Sequence, residues 1–353
     1  MLTVCFGVDP INRKITALTA RGGGFGSSLT PDPAFEVLPL DERAFVENEL
    51  SYAALVNTFL TPWAEKNPNE SYNVFLVLPD TLAAMDLVPL PMISRSKLGE
   101  ALKVEIEKLH KNAAELDYSA ELLFADKKTA SFWVSFFRKA DKTALTAAFA
   151  RHRQFTLKGA TFDSNALADA ALALFPKLRR QDFAAVDVQA DRTLIALVRR
   201  ESTLGFLTLP LGASLLGQGG RHELSAAEQA VQEAKRQDMI RRGLLEEAVE
   251  ETEEEQVRRS GSNKDRLTED FAPVYRRIVG TLQNAREDIP GFQPETVLIN
   301  LPEEAGFLTE RMSRETGWNF APFFTGEAPH RGCLPLLGGL SLGQFNKNLN
   351  LVG

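Results

Sequence analysis

VCFGVDPINRKITALTA, from Val4 to Ala20, and AAVDVQADRTLIALV, from Ala184 to Val198, read as two copies of one hairpin. Each is an apolar strand ending in an aspartate (Asp9, Asp187), then a short polar turn, then a second strand rich in β-branched residues. Two such hairpins about half a chain apart predict a duplicated α/β domain. The turns read PINRK and VQADR. Neither carries the glycines that let backbone N–H groups close around an anion.

Working outward from the first hairpin, Gly22, Gly23, Gly24 and Gly26 predict a surface turn. No GxGxxG is present to make it a phosphate loop. Residues 44–65 predict a helix, with Leu50, Ala53, Ala54, Val56, Leu60 and Ala64 near helical spacing. YNVFLVLP, Tyr72 to Pro79, is a continuous apolar run of the kind that forms a strand buried on both faces. Between 86 and 138 the texture changes. A helix is expected after Ser96 as N-cap, with Leu98, Leu102, Ile106 and Leu109 as its stripe, followed by two strands, the second being TASFWVSFF. Met92, Phe132, Trp133, Phe136 and Phe137 read as core of this small unit, with a partner groove as the alternative. Helices follow at 140–152 and in NALADAALALF.

The second hairpin leads through a third strand, 203–209, and LPLGASLLGQGG into a polar helical stretch. EEAVEETEEE, Glu246 to Glu255, reads as a solvated face or arm, and RSGSNKD as a linker. A helix at 266–287 buries Leu267, Phe271, Val274, Ile278 and Leu282, with Pro273 as a possible kink. The strand ETVLIN, the helix EEAGFLTERMSRET and a final helix or turn in GCLPLLGGLSLG complete the pattern.

The chain has 353 residues, 44% hydrophobic and 25% charged, enough for two domains or one two-lobed body. A net charge of −7 argues against a general nucleic-acid binder, which needs clustered cations. Cys5 and Cys333 provide neither a disulfide framework nor metal spacing. The four histidines, His110, His152, His222 and His330, show no metal-ligand spacing. No GxSxG or HExxH is present. The N-terminus MLTVCFGVDP does not read as a signal peptide, and no apolar run is long enough to span a membrane.

Four stretches, in order, resemble the PilM family of type IV pilus assembly proteins. That family is a branch of the actin-like ATPase superfamily, related more distantly to FtsA and to the cytoplasmic part of GspL. GVDPINRKITAL resembles the family's first strand and phosphate turn. VPLPMISRSKLGEALKVEIEKL with LDYSAELL resembles the Leu-Pro segment, acidic helix and Asp-Tyr strand of its inserted subdomain. FDSNALADAAL resembles the helix crossing between lobes, and AAVDVQADRTLIALV followed by LTLPLGASLL resembles the second phosphate hairpin and its continuation. The resemblance implies an α/β, two-lobed actin-like (ribonuclease H-like) fold with an inserted α+β subdomain. Residues 1–85 and 139–180 would form the first lobe and crossing helix, 86–138 the insertion, 181–345 the second lobe with a charged helical segment at 224–287, and 346–353 a tail.

In function the resemblance implies a cytoplasmic adaptor, peripheral at the inner membrane. It would bind the cytosolic N-terminal tail of a PilN-like membrane protein, and other platform proteins, with neither nucleic acid nor a membrane span of its own. The groove would use Leu87, Val88, Leu90, Met92, Leu98 and Leu102. No catalytic residue and no metal site are implied. Where the family carries a turn Gly, Ser and Lys this chain has Ile11, Asn12 and Thr16; at the second turn Gln189 replaces Gly. Glu303 and Glu304 stand where the adenosine loop has small neutral residues. These departures imply a degenerate ATPase site without cofactor. The alternatives are a working ATPase that holds ATP and Mg²⁺ on Asp9, Asn12, Asp187, Thr193 and Gly212, or a GspL-like secretion component. An FtsA-like membrane tether would need a C-terminal amphipathic helix, and QFNKNLNLVG has no such periodicity.

Overall fold

The computed structural model describes residues 2–9, 14–21, 34–39, 45–46, 49–66, 68, 70–80, 84–125, 127–216, 263–324 and 331–341. In the first lobe, β1 (Leu2–Asp9) pairs antiparallel with β2 (Lys14–Arg21), which pairs antiparallel with β3 (Ala34–Pro39). A two-residue ribbon, β4 (Phe45–Val46) and β5 (Glu49–Leu50), precedes helix α1 (Tyr52–Lys66). The expected helix at 44–65 therefore starts later. Tyr52, Leu55, Val56 and Leu60 form its buried stripe, and Leu50 belongs to the ribbon. Strand β6 (Tyr72–Leu78) then runs parallel to β1, because a crossover helix returns the chain to the same edge.

An excursion follows: β7 (Ala84–Pro91), helix α2 (Arg95–Leu109), β8 (Leu116–Ala125) and β9 (Thr129–Arg138). The sheet order is β7-β9-β8, all antiparallel. Helix α2 starts two residues earlier than expected. Ser94, not Ser96, is its N-cap residue; the two hydroxyls lie 3.1 Å apart. Leu102 and Ile106 of the stripe are buried against Val88, Leu90, Phe132, Val134 and Phe136, whereas Leu109 at the helix end is exposed. Helix α3 (Lys139–Ala150) and β10 (Phe155–Phe162) return the chain to the first sheet, giving the order β3-β2-β1-β6-β10.

The second lobe repeats this plan. Strands β11 (Asp182–Val188), β12 (Thr193–Arg199) and β13 (Ser202–Leu209) are antiparallel neighbours. Helix α5 (Asn263–Asp288) leads to β14 (Thr296–Asn300), and helix α6 (Leu308–Thr316) to β15 (Asn319–Pro322), both parallel additions. The order β13-β12-β11-β14-β15 is that of the first sheet, strand for strand. Helix α5 continues through Pro273 and buries Phe271, Val274, Ile278 and Leu282. The helix expected to start at Glu303 begins at Leu308, after a separate turn at Glu303–Ala305. The parts of the expected charged helix and arm at 217–262, the glycine turn and the tail lie outside the described residues.

Two helices lie between the sheets: α4 (Asp163–Leu174) and α7 (Leu334–Leu340). Every residue of α4 from Asp163 to Leu172 is buried. Its alanines admit close neighbours. At Gly338 of α7 a Cβ would overlap the Ala166 carbonyl, so this crossing requires glycine. The layer joins Cys5, Leu18 and Val77 of the first lobe to Phe183, Ala185, Leu194 and Leu298 of the second. The thiols of Cys5 and Cys333 lie buried in it.

Candidate functional site

The carboxyl ends of β1, β11 and β14 meet at one edge of the interlobe layer, where α/β folds place their ligands. A cleft of about 400 Å³ opens there. Its charged lining is Asp9 and Lys14 from the first hairpin, Asp163 from the start of α4, and Asp187, Asp191 and Arg192 from the second. Thr16, Gln189, Asn300, Pro302 and Leu336 are among its other lining residues.

The second hairpin has a dense internal network. Gln189 donates from Nε2 to Asp187 Oδ2 at 2.9 Å and accepts from Arg192 Nε at 2.9 Å. Asn300 Nδ2 donates to Asp187 Oδ1 at 2.6 Å. Arg192 is 6% exposed, and its Nη2 lies 3.1 Å from Asp163 Oδ2. That contact is an ion pair, not an aligned hydrogen bond, since Oδ2 has no hydrogen-bond partner among the described residues. Lys14, at the first hairpin, sits 3.6 Å from Asp9 and is far more exposed.

Burial pushes Asp187 up from the usual carboxylate range, against the donors Gln189 and Asn300 and the charge of Arg192. Desolvation raises Asp163 strongly; Arg192 pulls it back, while Asp80, Asp9 and Asp187 push it further up. Desolvation also works against the Arg192 charge, yet Asp163, Asp9, Asp191 and Asp80 together hold the guanidinium above its ordinary value. The cationic member of this cluster is thus Arg192, and the carboxyls share whatever protons they hold.

A second knot ties the lobes beside the cleft. Asp80, just past β6, accepts from the Ser164 backbone N–H at 3.1 Å and from its hydroxyl, and from the Thr208 hydroxyl at 2.7 Å. One carboxylate therefore caps α4 and reaches β13 of the other lobe. Deeper in, Asn165 donates to Thr161, and Thr203 donates to Asn165 at 3.0 Å.

Of the residues expected to hold a nucleotide, Asp9 and Asp187 face the cleft together. Thr193 does not line it; its hydroxyl donates to the Leu211 carbonyl at 2.7 Å. Gly212 stands behind the second turn, where a Cβ would overlap the carbonyls of Gln189 and Ala190. Ile11 and Asn12 lie outside the described residues. Arg192, Asp163, Asp80 and Asn300 did not stand out in the sequence. The signal for the first was the turn QADR itself, which places a long cation four residues after Val188.

The six residues expected to line a groove divide. Val88, Leu90 and Leu102 are enclosed in the subdomain's own core, and Leu98 is packed against it. Their assignment to a surface groove is corrected by this burial, which follows from α2 lying on that face of the sheet. Leu87, on the opposite face of β7, is 45% exposed, and Met92 is 51% exposed. Tyr118 and Leu122, on the edge strand β8, are also exposed, but their register with Phe136 and Phe132 puts them on the face of the sheet opposite Leu87. Phe132 and Phe136 belong to the subdomain core and Phe137 to the first-lobe core, while Trp133 packs against the second lobe at Gly205. His110 is partly buried, with its Nε2 2.6 Å from Asp86. Among the described residues there is no cluster of metal ligands, and no helix is long and apolar enough to cross a membrane.

The doubled sheet, the helix pair between the lobes and the inserted subdomain define an actin-like ATPase fold. No protein-family model matches the sequence, and neither does any curated protein. Solved structures do match. A chain of the PilM–PilN type IV pilus biogenesis complex is similar with a TM-score of 0.59 at 14% identity, over 96% of this chain and 97% of its own. The cytoplasmic domain of EpsL, an inner-membrane component of the type II secretion system of Vibrio cholerae, gives 0.45 at 11% identity, over 98% and 100%. A Bacteroides thetaiotaomicron protein with an actin-like ATPase fold gives 0.42 at 10%, over 96% and 95%. At such identities the likeness is one of fold.

Proposed function

We propose that this protein is a cytoplasmic adaptor of a type IV pilus or related secretion platform. Its role is to bind the cytosolic tail of a PilN-like inner-membrane protein, through which it is held at the membrane. The observation that carries this reading is the end-to-end likeness, at a TM-score of 0.59, to a chain from a PilM–PilN complex. The inserted subdomain supports it by leaving Leu87, on the edge strand β7, and Met92, just past it, exposed beside a well-packed core. A rigid scaffold with apolar side chains at an open strand edge suits an extended peptide, whose main chain pairs with the edge and whose alternate side chains find pockets.

The test is binding of fluorescent peptides spanning the cytosolic tails of single-span inner-membrane proteins encoded beside this chain. One tail is expected to bind, and Met92→Asp or Leu87→Asp to weaken it at least tenfold without lowering Tm. If no tail binds, or if the variants bind as the wild type does, the adaptor reading falls.

A further inference from the structure

The fold implies a metal–nucleotide between the two hairpins, and the residues present do not suit one. We propose that the guanidinium of Arg192 is a built-in counter-ion, standing in for the bound cation and holding the lobes together without nucleotide.

Three observations support this. First, three of the carboxylates that a metal or its waters would use already face protein donors or cations. Asp187 receives Gln189 on one oxygen and Asn300 on the other, and Asp163 faces Arg192. Asp9 has Lys14 within 3.6 Å. Second, among the described residues the lining holds Asp9, Asp163, Asp187 and Asp191 against Lys14 and Arg192, a formal surplus of negative charge. A polyphosphate entering without a metal meets that surplus at close range, in a site partly shielded from solvent. Third, Arg192 is buried and held at both ends of its fork, by Gln189 on its own hairpin and by Asp163 on the helix between the lobes. A planar, permanently charged group suits such a position better than an ammonium would. The same guanidinium therefore offsets part of the acidic cluster's charge and bridges the second lobe to the crossing helix. Asp80, bonded to Ser164 and Thr208, ties the same end of that helix to β13.

This inference concerns the cleft alone and does not depend on what the subdomain binds. Thermal melts of the full chain test it. Wild-type Tm is expected to stay constant with millimolar Mg²⁺–ATP or Mg²⁺–ADP, because nothing that binds the folded state selectively is added. Arg192→Ala is expected to lower Tm by several degrees, and low-millimolar guanidinium chloride to restore part of the loss, relative to sodium chloride. Arg192→Lys, with the charge but without the fork, is expected to melt in between. A wild-type Tm that rises with Mg²⁺–nucleotide overturns the proposal. So does an Arg192→Ala protein that melts like the wild type, or one whose loss guanidinium does not reverse. Should Arg192→Ala fail to fold, the nucleotide melts and the Arg192→Lys variant decide.

Discussion

The hairpin β1–β2 and the hairpin β11–β12 have the same strand order, the same antiparallel pairing and the same parallel neighbour on one side. Among the described residues, which leave out 10–13 of the first turn, they differ beside their turns. In the first, an exposed lysine lies loosely near Asp9. In the second, a buried arginine, a glutamine and an asparagine tie down Asp187 and Asp163. Backbone architecture survives almost any turn sequence, since it rests on apolar strand faces. The chemistry of a turn changes with single side chains. The two lobes thus share a frame and have diverged where the frame meets the cleft.

Replacing the two cations one at a time probes that divergence most directly. Arg192→Ala leaves buried carboxyls without their counter-charge and is expected to cost about 3–5 kcal/mol in denaturant unfolding. Gly212→Ala tests the backing of the second turn. Its Cβ would press on two carbonyls and the Arg192 N–H, so a loss of about 1–3 kcal/mol is expected, with the hairpin amides of 189–193 losing exchange protection.

A smaller effect should appear in the layer both lobes share. Asp169 on α4 is fully buried, and neither carboxylate oxygen has a hydrogen-bond partner among the described residues. Burial pushes its pKa well above the usual range. The folded state then keeps a proton that the unfolded chain releases above about pH 4, so stability falls as pH rises from there to the folded pKa. Asp169→Asn should remove a slope of up to about 1.4 kcal/mol per pH unit across that window. An unchanged slope would show Asp169 to be ionised in the fold. Least of all, Lys14→Ala should change stability by about 0–1 kcal/mol, as expected for a half-exposed pair. A loss equal to that of Arg192→Ala would mean that the two turns are energetic equivalents after all.

The strands of both lobes were legible because strands buried on both faces need runs such as YNVFLVL and TVLIN, and such runs have few other uses. The start of α1 was not. Leu50 fits a helical stripe as well as a ribbon, and pattern alone cannot separate them. Ser94 and Ser96 are equally good caps in isolation, and only the path of the chain out of β7 selects one. In the subdomain the apolar residues were visible, but the side of the sheet that α2 covers decided which of them, Val88 or Leu87, meets solvent.

By itself the sequence determined the repeat, the aspartate near the end of each central strand, and the absence of glycine from both turns, because these are properties of short contiguous segments. Tertiary structure alone decided that Arg192 turns inward. In a list of residues, an arginine in a hairpin turn belongs to solvent. Here it lies beside carboxyls from β1, α4 and β11, brought from positions 9, 163 and 187 by the packing of two sheets against one helix pair. Charges so distant along the chain interact only once folding has removed the water between them.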